Sequence, residues 1–147
     1  ISQHLFDDEL VFICSKDTPL DGIVEISDIS QYKFINRSDM SATRKELENL
    51  MMEQGYDFAM SDNVVECDNM NLILNLVSKG VGISFMSKTI YDCSKAMEKV
   101  KSFQVRGLSL TRNINVLTNR RRTLSPAAED FIKLLKADAK QEDHCNK

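Results

Sequence analysis

Met70-Asn71-Leu72-Ile73-Leu74-Asn75-Leu76-Val77-Ser78-Lys79-Gly80-Val81-Gly82-Ile83-Ser84-Phe85-Met86 holds a helix, a stop and a strand in immediate succession. Met70, Ile73, Leu74 and Val77 recur at the spacing of one helical face. Asp68 stands just ahead as the expected cap, and Gly80 is placed to end the helix. Val81 to Met86 is a short apolar run, which reads as a buried strand. Gly80-Val81-Gly82 is a tight helix-to-strand turn. It is not the dinucleotide fingerprint, because it lacks the third glycine and follows a helix rather than a strand. A helix feeding straight into a buried strand is half of the repeating unit of an α/β fold.

The same alternation extends upstream. Glu9 to Ser15 is a short apolar run and a candidate strand, and Thr18 to Gly22 is a turn. Ile26 to Ile29 suggests one helical turn capped by Ser27, and Lys33 to Arg37 a second strand. Ala42 to Gln54 reads as a helix with Leu47, Leu50, Met51 and Gln54 on one face and Gly55 as its stop. Asn63 to Cys67 is a third strand. Downstream, a short helix near Lys88 to Met97 precedes two strands, Lys99 to Val105 and Arg112 to Thr118. The last helix opens at Ser125-Pro126, with Ser as cap, Pro at the first helical position and acidic residues in the first turn. Its apolar stripe is read as Ala128, Phe131, Ile132 and Leu135, and Asp138 to Lys147 as a polar, frayed end.

Repeated strand–helix–strand order implies an α/β fold: a Rossmann-like, mostly parallel sheet with helices on both faces. Ligands of such sheets bind beyond the carboxyl ends of the strands. That directs attention to Cys14–Lys16, Ser38–Thr43, Cys67–Asn69 and Phe85–Ser87.

Composition removes several functions. The chain has 147 residues, enough for one domain with a proper core. With 19 basic and 22 acidic residues, the net charge of −3 argues against a stand-alone nucleic-acid binder. Arg120-Arg121-Arg122 has no aromatic interleaving and reads as a solvated loop. No apolar run is long enough for a membrane span, and no membrane partner is expected. Cys14, Cys67, Cys93 and Cys145 are far apart and form no C-x-x-C pair, and His4 and His144 lie at the extremities. No metal site or cofactor is expected, and unpaired cysteines favour the cytoplasm. No P-loop, G-x-S-x-G or H-E-x-x-H is present, so no enzyme is expected.

Ser41-Ala42-Thr43-Arg44 is the segment with most chemical promise. At a strand-to-helix switch, the first N–H groups of the helix point outward and attract an anion. Asp68 opens the neighbouring helix, where its charge would oppose such an anion. The expected ligand-binding set is Ser41, Ala42 and Thr43, joined by Ser15 and Asp68 from neighbouring strand ends.

The order of motifs resembles LysR-type transcriptional regulators. Leu5 to Ile13 is similar to the family's pL-x-x-D-x-L-x-L-V segment, and Thr18-Pro19-Leu20 to its H-P-L turn. Ile26 to Ile35 resembles I-s-l-x-d-L-x-x-x-p-f-I, and Ser41 to Arg44 resembles S-G-T-R. Leu76 to Met86 resembles l-V-x-x-G-x-G-i-x-x-l-P, and Leu124 to Phe131 resembles l-S-p-a-x-x-x-F. Thr18 stands for the usual His, Ala42 for Gly, and Ser87 for the common strand-ending Pro; these change local turns and leave the fold intact.

The resemblance implies a type-2 periplasmic-binding-protein-like fold. In that frame residues 1–13 are a crossover strand from a first effector subdomain that is largely missing. Residues 14–114 are the second subdomain, and 115–137 the return crossover strand and closing helix. Residues 138–147 are a frayed tail. The implied function is sensing a small, anionic effector to control DNA binding through an absent N-terminal helix-turn-helix, in a homo-oligomer. The alternative is a solute-binding protein of a transport system with the same fold. Ile1 in place of Met fits the expectation that a longer protein surrounds this chain.

Overall fold

In a computed structural model, residues 1–38, 42–57 and 63–142 are described. The elements run β1 (Ser2–Ser15), β2 (Ile23–Val24), α1 (Ile26–Ile29), β3 (Phe34–Asn36), α2 (Ala42–Glu53), β4 (Val64–Glu66) and α3 (Met70–Ser78). They continue with β5 (Ser84–Ser87), α4 (Lys88–Cys93), α5 (Ala96–Lys99), β6 (Val100–Val105), β7 (Thr111–Leu117) and α6 (Pro126–Glu142). The chain divides into two compact units: Glu9–Leu110, and Ile1–Asp8 with Thr111–Lys147. Both divisions fall within or at the start of the long strands β1 and β7, a few residues before the expected boundaries at 14 and 115.

In Glu9–Leu110 the sheet runs β2-β6-β1-β5, and β5 is continued by β3 and β4 through a parallel bridge between Phe34 and Ile83. β3 and β4 are parallel, as are β2 and β6. β1 is antiparallel to both β5 and β6. The other strands of this unit therefore share one direction, and β1 alone among the described strands there is reversed. The mostly parallel α/β sheet is as expected, with one opposed strand inserted near its middle.

Alternation along the strands feeds two cores. Phe12, Cys14 and Phe34 point to one face, where they pack with Ile29 of α1 and Leu47 and Met51 of α2. Phe12 meets Phe34 edge-on, at 6.1 Å between ring centroids and 88° between planes. Val11, Ile13 and Ile35 point to the other face, against Ile73, Leu74 and Val77 of α3 and Tyr91 of α4.

Local signals mostly land where the sequence places them. Gly80 ends α3 at φ +75°, a conformation that costs a side-chain-bearing residue. Gly82 sits so tightly that a Cβ would fall 2.4 Å from the Lys33 carbonyl oxygen. The cap of α3 is Asn69, whose side chain accepts from the Leu72 N–H at 3.1 Å, and not Asp68. The cap of α1 is Glu25, not Ser27; the Asp28 carboxylate accepts from the Glu25 N–H at 2.9 Å. The helix expected over Lys88–Met97 is broken into α4 and α5.

In the smaller unit, Ile1 and Thr118 exchange both backbone hydrogen bonds, at 2.7 and 2.9 Å, as in an antiparallel ladder. β1 thus extends through Ser2–Asp8, a polar stretch that the apolar reading of Glu9–Ser15 missed. Asp8 is 3% exposed and pairs with Arg112 of β7. α6 continues to Glu142, past the expected fray point. Its half-buried residues are Ala128, Ile132, Leu135 and Ala139. Phe131, expected in that stripe, is 60% exposed, and Leu134 is 68% exposed.

Candidate functional site

The directions of the strands decide which residues can meet. The carboxyl ends of β3, β4 and β5 lie at one edge of the larger unit's sheet. β1 runs the other way, so its early residue Leu10 lies opposite Ser87 at that same edge. Its last residue, Ser15, pairs with Val100 at the start of β6, at the opposite edge. Five residue steps along the strand separate Leu10 from Ser15, or about 17 Å. Ser15 therefore does not join the other expected site residues. Its Oγ is engaged locally with Thr18 Oγ1 at 2.8 Å. The end of a strand lies at the carboxyl edge only where the strand runs with its neighbours, and β1 is the reversed strand.

Ala42, Thr43 and Asp68 do share the carboxyl edge. Ala42 and Thr43 open α2, which follows β3; Ala42 is exposed and Thr43 half-buried. Asp68 follows β4, and its Oδ1 accepts from the Ser38 N–H at 2.8 Å. The carboxylate thus ties the loop after β4 to the loop after β3, a different task from capping α3. Ser41 lies outside the described residues.

Arg44 sets this corner. It is buried one turn into α2, where its Nε donates to Glu48 at 2.6 Å. Its Nη1 donates to the Arg37 carbonyl oxygen at 2.6 Å and to Glu66 at 2.7 Å. Burial opposes the charge, and the hydrogen bonds and charges of Glu48 and Glu66 more than offset it, so the guanidinium is held above its ordinary pKa. The clamp pins the first turn of α2 over the ends of β3 and β4. The helix N-terminal N–H groups are thereby presented at the carboxyl edge, where they favour a negative or hydrogen-bond-accepting group.

Two residues at this edge were not in the expected set. Ser87 is buried at the end of β5 and caps α4, accepting from the Ile90 N–H at 3.1 Å. Asn36, the last residue of β3, is 1% exposed, and among the described residues neither its Nδ2 nor its Oδ1 has a hydrogen-bond partner. In the sequence Asn36 is one polar residue at a strand end and carries no signal.

Among the described residues, no group of three or more His, Cys, Asp or Glu is placed to hold a metal ion. No described helix is long and apolar enough to cross a membrane. Cys14 is buried, and the cost of charging it there, with smaller influences from Lys101 and Asp21, pushes its pKa up to about 11. It is a poor nucleophile at neutral pH.

The family model for the LysR substrate binding domain matches residues 1–140, and the chain belongs to that family. Among curated relatives, a probable RuBisCO transcriptional regulator of Guillardia theta is 26% identical over 129 residues, covering 86% of this chain and 42% of that protein. The HTH-type transcriptional regulator CbbR of Rhodospirillum rubrum is 25% identical over 140 residues, covering 95% of this chain and 46% of that protein. The chain thus spans less than half the length of these relatives. Among solved structures, the Synechocystis PCC6803 CcmR regulatory domain in complex with 2-PG superposes with a TM-score of 0.77 at 23% identity, over 95% of this chain and 67% of that one. The effector binding domain of QuiR in complex with shikimate gives 0.73 at 23% identity, over 96% and 66%. These likenesses establish the type-2 periplasmic-binding-protein-like fold.

Proposed function

We propose that this chain senses a small anionic metabolite for a LysR-type transcriptional regulator, at the carboxyl edge of the Glu9–Leu110 sheet. The observation that carries the reading is the Arg44 clamp, which holds the α2 N-terminus over the ends of β3 and β4. Ala42 and Thr43 of that first turn are the proposed contacts, with Asp68 shaping the loop between them and β4. The role is non-catalytic, in the cytoplasm, and acts on DNA through a helix-turn-helix domain outside this chain. The two solved relatives carry shikimate and 2-PG, both small molecules, which supports the same class of ligand here.

The effect on DNA binding is a population shift: a ligand changes an equilibrium only by as much as it prefers one arrangement over another. The two crossover strands, near Glu9–Cys14 and Ile114–Asn119, are the proposed hinge. Self-association through the apolar face of α6, with Phe131 and Leu134 exposed, is the proposed route to a homo-oligomer. Light scattering behind a sizing column at two concentrations tests it, with Phe131→Glu as the variant expected to shift the chain towards monomer.

The test of the site is calorimetric titration with small organic acids, shikimate and 2-PG among them. Thr43→Val is expected to weaken binding about ten- to a hundredfold, the loss of one hydrogen bond to a charged ligand. Unchanged affinity for an acid that does bind removes Thr43 from the site. In gel-shift titration at ~0.15 M salt the chain alone is expected to show no sequence-selective DNA binding.

A further inference from the structure

The side chains of β3 alternate between the two cores. Phe34 packs with Leu47 and Met51 beneath α2, and Ile35 packs with Ile73 and Val77 beneath α3. Asn36 follows, so its side chain returns to the α2 side, at the last position of the strand. There the first turn of α2 lies close by, because Arg44 reaches the carbonyl of Arg37, the very next residue. The Asn36 backbone carbonyl is used, accepting from the Cys67 N–H at 2.8 Å. Its side-chain amide has no partner among the described residues, although it is 1% exposed. A buried amide with no partner among the described residues is costly, and such a group calls for an explanation.

An amide offers donors on Nδ2 and acceptor pairs on Oδ1. An anion alone would satisfy the donor and leave Oδ1 facing negative charge. The corner is also already acidic: Glu48 and Glu66 share Arg44, and Asp68 stands beside them on the Ser38 N–H. A multiply charged anion gains little here. A carboxylate bearing a neighbouring hydroxyl answers both halves of the amide. Its carboxylate oxygen accepts from Nδ2–H and from the α2 N-terminus, and its hydroxyl donates to Oδ1.

We propose that Asn36 is a specificity-determining residue of the effector site, and that the ligand class is hydroxylated carboxylic acids. This rests on the reading that the effector binds at the carboxyl edge. The site is then less stable when empty than an apolar version of itself, which separates a ligand-reading amide from a structural one.

The experiment uses this chain with Asn36→Leu, close in size and apolar, and Asn36→Ala as a second variant that cannot overpack. Without ligand, Asn36→Leu is expected to raise Tm by about 3 °C or more, since an orphaned group is removed. With wild type, the hydroxy acid of each matched pair (malate against succinate, lactate against propionate) and shikimate are titrated calorimetrically. At least one hydroxy acid is expected to bind about tenfold or more tightly than its deoxy partner, and both variants to lose that difference. A lower Tm for Asn36→Leu makes the amide structural, satisfied by a buried water, and overturns the proposal. Equal binding of hydroxy and deoxy partners overturns it too. Binding that Thr43→Val abolishes and Asn36→Leu leaves intact overturns this inference and keeps the effector site. Absence of binding by every acid in wild type defeats both.

Discussion

The two units of this chain are built from the same materials and reach opposite ends. Every fully buried hydrophobic side chain among the described residues, from Leu10 to Leu110, belongs to the larger unit. In the smaller unit the buried residue is an acid, Asp8, and Phe131, Leu134 and Leu117 are exposed. Yet β7 alternates regularly along its length, and α6 is longer than any helix of the larger unit. Periodicity establishes that an element has two faces. Burial requires a second surface to cover one of them, and within this unit a two-stranded ribbon and one helix do not supply enough of it.

That contrast can be broken most sharply at two phenylalanines. Phe34→Ala removes a ring that touches both Phe12 and the α2 side chains, and is expected to cost about 3–5 kcal/mol. Phe131→Ala, at a position exposed within this chain, is expected to stay within about 0.5 kcal/mol at concentrations where the chain is a monomer. Urea unfolding of both variants checks this, and comparable losses would show that α6 is covered in solution. Hydrogen exchange sharpens the same point: amides of α3 are expected to outlast those of α6, because local opening follows the apolar contacts that resist it.

A smaller effect is expected at the ion pairs. Arg44→Ala leaves the Glu48 and Glu66 carboxylates and the Arg37 carbonyl without their donor, for a cost of about 1–3 kcal/mol. The half-exposed Glu66 is partly screened by solvent, so Glu66→Gln alone is expected to cost about 0.5 kcal/mol or less. In the smaller unit, Arg112→Met removes a cation paired with buried Asp8 and is expected to cost about 1.5–3 kcal/mol. A cost for Arg112→Met above that for Phe34→Ala would reverse the ranking of the units.

The least intrusive comparison is between thiols. Cys93 is exposed and Cys14 buried. At pH 8, Cys93 is expected to react with an alkylating reagent while Cys14 reacts only on unfolding. Burial raises the folded-state pKa of Cys14 from 9.0 to about 11. Its stabilising contribution is therefore complete below pH 9 and is lost as pH climbs towards 11, because the unfolded thiol ionises first. Denaturation of Cys14→Ala across that range is expected to show a flatter alkaline limb than wild type.

Most of the alternation of strand and helix, the glycine stop at Gly80 and the Ser125 cap of α6 were legible in the sequence, whereas β2 and the break between α4 and α5 were not. Each legible feature rests on a few adjacent residues, so the physics that sets it is local. The α2 N-terminus was legible as a candidate site for the same reason: a strand followed by Ser41-Ala42-Thr43 is a local pattern. The rest depends on contacts between segments far apart in the chain. Whether Ser15 shares an edge with Thr43 depends on the direction of β1 relative to β5 and β6, which is a pairing across many residues of chain. Whether Ser2–Asp8 is a strand depends on β7, and whether Phe131 is core depends on what covers it. Asn36 carries information only against the described residues packed around it, because an unmet hydrogen bond belongs to an environment and not to a residue.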